Sequence, residues 1–155
     1  MWHKNPATVK SVIMKSDMTK TKSTAEMLEA LYQAVADRTR LRLLNLMADG
    51  EVCVCFFIEV IDQPQPKISR HLAYLRKAGL VTSRREAKWV HYTITPPEDP
   101  SVHAAFEAIM TTLRRDRQMQ RDRALLAGMC CSPRAPEQLR RAPRPAVAEA
   151  VTVAP

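Results

Sequence analysis

No apolar run in this 155-residue chain approaches the roughly 20 residues of a membrane-spanning helix. The stretch "VKSVIM" near the N-terminus is too short for the apolar core of a signal peptide. The expected location is therefore cytoplasmic, with no membrane span. Cysteines number only four, Cys53, Cys55, Cys130 and Cys131. In a reducing compartment they read as metal-binding, redox-active or buried thiols, not as a disulfide framework. A thiol enzyme would need a base or cation beside its nucleophile, and a substrate pocket. The sequence shows neither, so no catalytic residue and no enzyme is expected. No internal repeat is found.

What the chain has in excess is positive charge. Lys and Arg number 24 against 16 Asp and Glu, a net charge of +8. That balance favours an anionic partner, nucleic acid or membrane headgroups, without choosing between them. The length suits one domain with a core of ordinary size. Residues 1–22 are polar and basic, without apolar period, and read as a flexible arm in which Met14 and Met18 stand as alternative starts. Residues 128–155 hold the Cys130–Cys131 pair and a Pro-, Ala- and Arg-rich tail, expected to be disordered from residue 132.

Between them, residues 23–127 form one patterned unit. Ser23 and Glu26 have the spacing of a capping box. Met27, Leu28, Leu31 and Val35 then recur at helical spacing. Asp37 can cap a second helix with Leu41, Leu44, Met47 and Ala48 on one face, stopped by Gly50 as a left-handed residue. A short third segment covers residues 54–61. A fourth begins with Pro66 at the first helical position, turns Ile68, Leu72 and Leu75 inward and stops at Gly79. The stretch "LVTSRREAKWVHYTI" alternates as two strands joined at residues 86–88. A last long helix opens at Asp99 and Pro100, carries Phe106, Ile109, Met110 and Leu113 on one stripe and continues to about Leu126.

This order predicts a mainly α (α+β) fold, a winged helix-turn-helix with a two-stranded wing. The last helix has an apolar stripe and no later element to cover it. Two copies, with the first helix, could bury one another, so a two-fold homodimer is expected. The fourth segment offers Gln65, Lys67, Ser69, Arg70 and His71, hydrogen-bonding types suited to phosphates and base edges. Arg84, Arg85 and Lys88 lie on the hairpin, where a wing touches the DNA backbone or minor groove.

Cys53 and Cys55 sit one residue apart inside "GEVCVCFFIEV". On a regular helix that spacing points two side chains nearly opposite ways. Here Cys53 falls just before the third helix and Cys55 in its first turn, so extended dihedrals at Cys53 can turn the two thiols together. The helix N-terminus and nearby positive charge should lower both thiol pKa values and favour thiolate, the form that binds soft ions.

The stretch "EVCVCFFIEVIDQPQPKISRHLAYLRKAGLVTSRREAKWVHYTI" resembles the arsenic-responsive repressors of the ArsR family. The resemblance covers about residues 24–113 and is most specific at Cys-Val-Cys, "PKISRHL" and "KWVHY". It implies a homodimeric repressor that holds operator DNA when free and leaves it when As(III) or Sb(III) binds cysteine thiolates, with no permanent cofactor. Residues 65–72 then correspond to the recognition helix, and Cys53 and Cys55 to metalloid ligands. Ile58 replaces a third cysteine often found in the family's arsenite site. Phe56 stands where an acidic residue is usual, Pro64 where a serine is usual, and Ala87 where a wing glycine is usual. Cys130 and Cys131 from the same or a partner chain, or an outside thiol, could complete the site. A monomethylated trivalent arsenical would need only the pair. The zinc-sensing branch is set aside, since Asp99 and His103 have no second histidine further along the helix. His3, His71 and His91 read as arm, DNA-facing and wing residues. Remaining alternatives are the same scaffold sensing Cd, Pb, Hg or oxidants and, from another class, a thiol-based metalloid carrier or redox enzyme.

Overall fold

Ser23 begins the fold with a reciprocal cap. In the computed structural model, which describes residues 22–131, 139 and 141–145, its hydroxyl accepts from the Glu26 N–H at 3.2 Å and Glu26 Oε2 accepts from the Ser23 N–H at 2.8 Å. Helix α1 (Thr24–Val35) follows and buries Leu31 and Ala34. Asp37 caps α2 (Arg38–Leu46) by accepting from the Arg40 N–H. After a turn come β1 (Val52–Cys53), α3 (Val54–Ile61) and α4 (Gln65–Lys77). The hairpin is β2 (Val81–Glu86) and β3 (Trp89–Ile94), and α5 (Pro100–Arg115) and α6 (Arg117–Cys131) complete the order.

Apolar spacing explains the packing. Leu43, Leu44, Phe56, Phe57, Ile68, Leu72, Leu75 and Phe106 are fully buried, so α2, α3, α4 and α5 share one core. Removing each such side chain from water contributes about 1.5–3 kcal/mol. Gly79 ends α4 at φ 77, where a left-handed backbone is required. The Leu80 N–H reaches back to the Leu75 carbonyl and the Gly79 N–H to the Arg76 carbonyl, both at 3.0 Å, which is a Schellman closure.

Four expectations change. The predicted two-stranded wing gains a third strand: β1 pairs antiparallel with β3, giving the order β1-β3-β2. The predicted long last helix is two helices, because Asp116 adopts φ −71 and ψ 133 and ends α5. Its Oδ1 then accepts from the Gln118 and Met119 N–H groups at 2.8 and 3.0 Å and starts α6. Helix α6 is the later element that the sequence pattern leaves out, and it packs on α2, α3 and α5. Helix α2 ends at Met47, not at Gly50, whose φ of 143 lies far from the left-handed helical value. Pro66 is the second residue of α4, with Gln65 first and Pro64 at the cap. Residues 1–21 of the predicted arm, and most of the predicted tail, lie outside the described residues. Within that tail, Leu139 and Ala142 are buried in the core.

Candidate thiol site and nucleic-acid interface

Two sulfurs meet where β1 becomes α3. Cys53 is the last residue of β1 and the N-cap of α3, with φ −70 and ψ 142. That extended backbone lets its side chain swing toward Cys55, the second helical residue. The Cys55 thiol donates to Cys53 Sγ across 2.9 Å. Cys53 is fully buried and Cys55 half-buried, and both are free thiols. No side chain caps the start of α3.

The two thiols are driven apart electrostatically. The Cys55 thiol, donating its hydrogen bond, lowers the Cys53 pKa to about 7, helped by backbone N–H groups of Cys55, Val90 and Val54 and opposed by burial. The same hydrogen bond, burial and the Cys53 charge push the Cys55 thiol far up. The expectation that the helix N-terminus and nearby positive charge lower both thiols therefore changes: Cys53 is lowered, chiefly by its neighbour's hydrogen bond, and Cys55 is raised. Ile58, at the position of the missing cysteine, is half-buried against the core. Among the described residues, no three His, Cys, Asp or Glu side chains group closely enough to hold a metal ion. Cys130 and Cys131 close α6, and their side chains lie outside the described residues.

The α3–α4 turn is set by Asp62, which takes the left-handed conformation at φ 55 and ψ 56. Aspartate visits that region more readily than most residues. Helix α4 then presents Gln65, Lys67, Ser69 and Arg70 to solvent, opposite its buried Ile68, Leu72 and Leu75. None of the four exposed side chains bonds to another described residue, so their donors are available. His71 stands apart. Its side chain is 14% exposed, with Nδ1 3.5 Å from Asp37 Oδ1, so it faces the start of α2. Arg40 lies over the Tyr74 ring at 4.3 Å and also ties α4 to α2.

The wing carries Arg84, Arg85 and Lys88 on its exposed strands and turn. Arg85 Nε donates to the Ala87 carbonyl at 3.2 Å, and Lys88 Nζ lies 4.9 Å from the Trp89 ring centre. Ala87 holds the turn at φ 52. Arg84 is already engaged. It binds Glu51 through two hydrogen bonds of 2.6 and 3.2 Å, and Glu86 through one of 2.7 Å. These bonds from Arg84 hold the Glu51 carboxyl below the usual range. His91 is buried between the outer strands, in register with both Cys53 and Arg84. Its Nδ1 is 3.5 Å from Glu51 Oε1, and its Nε2 has no hydrogen-bond partner among the described residues.

Sequence reasoning passes over Glu51 and two further polar anchors. Arg42 binds the buried Asp122 of α6 at 2.6 and 2.9 Å and donates to the Val60 and Ile61 carbonyls at the end of α3. Asn45 Nδ2 donates to the Met119 carbonyl at 2.9 Å. Asp99 and His103 are occupied structurally: Asp99 caps α5, and His103 Nδ1 lies 3.2 Å from the Pro97 carbonyl oxygen. A shallow apolar groove between α1 and α5, with Leu41 of α2 at its side, is lined by Tyr32, Val35, Ala105, Ile109 and Leu113.

Comparison with known proteins fits this geometry. The family described as "Bacterial regulatory protein, arsR family" matches residues 37–83. The arsenic resistance transcriptional regulator ArsR2 of Pseudomonas putida is 40% identical over 96 residues, which cover 61% of this chain and 81% of that protein. The chain belongs to the ArsR family. ArsR-family proteins are DNA-binding transcriptional regulators, and this chain is one of them, not an enzyme. The arsenical resistance operon repressor of Escherichia coli (strain K12) is 51% identical over 67 residues, 43% of this chain and 57% of that protein's length. HlyU from Vibrio cholerae N16961 superposes with a TM-score of 0.51 at 30% identity, covering 59% of this chain and 97% of that one. It shares the winged-helix fold. Among the described residues, no helix is long and apolar enough to cross a membrane.

Proposed function

We propose that this ArsR-family protein is a metalloid-responsive repressor that binds operator DNA as a homodimer and releases it when trivalent arsenic, or antimony, binds Cys53 and Cys55. The observation that carries the reading is the 2.9 Å approach of the two sulfurs at the uncapped start of α3, the helix that leads into the DNA-reading helix. Arsenical-resistance regulators among the relatives support the choice of inducer.

The chemistry is ligand exchange. Two As–O bonds of arsenite break, two As–S bonds form, and the hydroxyl groups leave as water with the thiol protons. One thiol of the pair attacks as its thiolate, the other follows, and each thiol proton leaves with a hydroxyl. The third arsenic position takes Cys130 or Cys131, an outside thiol, or the methyl group of a monomethylated arsenical. Drawing both sulfurs onto one ion strains the first turn of α3. Asp62 joins that helix to α4, so the strain misplaces Gln65, Lys67, Ser69 and Arg70 in the major groove. His71 acts by holding α4 on α2. Arg84, Arg85 and Lys88 contact the backbone beside the groove. The metalloid thus favours the state with poor DNA affinity, and DNA weakens metalloid binding by the same factor. The apolar α1–α5 groove is the dimer face, which places two copies of α4 on successive major grooves.

Oxidation of the same thiol pair is a second reading, favoured by the same short separation. It would pass two electrons to an oxidant, and the two thiols would lose their protons. A fluorescent fragment of the protein's own promoter, followed by anisotropy under reducing conditions, tests the main reading. Arsenite should release the wild type and leave Cys53→Ser/Cys55→Ser bound. Release of that variant at ordinary arsenite concentrations would refute it. Failure of Cys130→Ser/Cys131→Ser as well would assign the third ligand to the end of α6.

A further inference from the structure

One row of residues crosses the whole sheet. Cys53 on β1 lies opposite His91 on β3, and His91 lies opposite Arg84 on β2. Directly opposed residues share a face of the sheet. Glu51, two residues before Cys53, closes this row from the side. One of its oxygens is 2.6 Å from Arg84 and 3.5 Å from His91. The strand that ends in the thiol site is therefore tied by a carboxylate to a wing arginine. That arginine is 53% exposed, and its partners among the described residues are the carboxylates of Glu51 and Glu86.

We propose that Glu51 is a positioning residue that makes Arg84 a switched DNA contact. In the free protein Glu51 holds the guanidinium. In the DNA complex a backbone phosphate takes it over, because the Glu51 pair is solvent-exposed and weak while phosphate binding also releases counterions. Metalloid closure on Cys53 shifts β1, which Glu51 immediately precedes in the chain, and tightens the hold of Glu51 on Arg84. The wing is thus withdrawn from DNA at the same time as α4 is misplaced. The two-residue β1 transmits the movement, since it is short enough to shift with Cys53 and, among the described strands, pairs with β3 alone.

This inference rests on the metalloid-repressor reading, and the test separates the two. Operator affinity is measured by anisotropy for wild type, Glu51→Gln, Arg84→Ala and the double variant, each with and without arsenite. Arsenite occupancy of the DNA-free proteins is followed by loss of reactive thiols, and thermal melts confirm folding. Glu51→Gln should bind the operator about fivefold more tightly than wild type. It should show no such gain in the Arg84→Ala background. Arsenite should fill its thiols normally but release DNA about fivefold less effectively than from wild type. An equal gain in both backgrounds would show a general charge effect and overturn the link. So would arsenite release from Glu51→Gln that matches wild type. Failure of arsenite to release the wild type would instead overturn the underlying reading.

Discussion

The two ends of α3 are built differently. At its start, Cys53 offers no side-chain cap, and the two sulfurs crowd at 2.9 Å. At its finish, Asp62 turns the chain sharply, and Arg42 binds the Val60 and Ile61 carbonyls while paired with the buried Asp122. A cation beside the last carbonyls of a helix complements its dipole. An uncapped first turn leaves N–H groups unpaid by side chains. One end of the helix is thus easy to loosen, and the other is pinned to α2 and α6. A ligand acting on the loose end can move the first turn without dismantling the core.

The largest expected effect comes from breaking the pinned end. Asp122→Ala leaves Arg42 partly buried without its carboxylate and should cost about 3 kcal/mol of stability. Chemical denaturation would measure this as a lower midpoint with an unchanged slope. A loss below about 0.5 kcal/mol would show that α6 does not hold α3. The loose end behaves oppositely. Cys53→Ser removes the thiol and places a hydroxyl at an N-cap position. Its stability should stay within about 1 kcal/mol of wild type although a buried side chain has changed. Arsenite should no longer release it from DNA.

Smaller effects sharpen the same contrast at neighbouring turns. Pro64→Ser gives α4 the side-chain cap it lacks and should stabilise the protein by about 1 kcal/mol. An unchanged melting temperature would mean that the start of α4 is held by its packing alone. Ala87→Gly relieves the φ of 52 at the wing turn and should add about 1 kcal/mol or slightly less. A decrease would show that the alanine methyl packs usefully there.

Much of this architecture is legible in the residues. The capping box at Ser23, the cap at Asp37, the bounds Val54–Ile61 and the Gly79 stop are local signals and stand as predicted. So is the closeness of the two thiols, which needs only an extended residue before a helix. What escapes is non-local or hidden by a continuing pattern. The apolar stripe of Leu113 resumes at Met119 and Leu126, so the break at Asp116 is masked although aspartate is a good cap. Strand β1 has two residues and no period to read. Arg42 and Asp122 lie 80 positions apart, and Arg84 lies 33 from Glu51. Nothing in a local window pairs such charges. His71 reads as a free polar residue on α4, and only the position of Asp37 turns it inward.

The most direct test of the account is amide hydrogen exchange along α3, by NMR, with and without arsenite. The Cys53→Ser/Cys55→Ser variant serves as control. The account predicts that arsenite reduces protection at Phe57 and Ile58, whose N–H groups close the first turn of α3, and at the start of α4, in the wild type alone. Protection at Val60 and Ile61 should persist. Unchanged protection in the first turn, or an equal loss in the variant, would contradict the claim that metalloid at the thiol pair loosens this helix to release DNA.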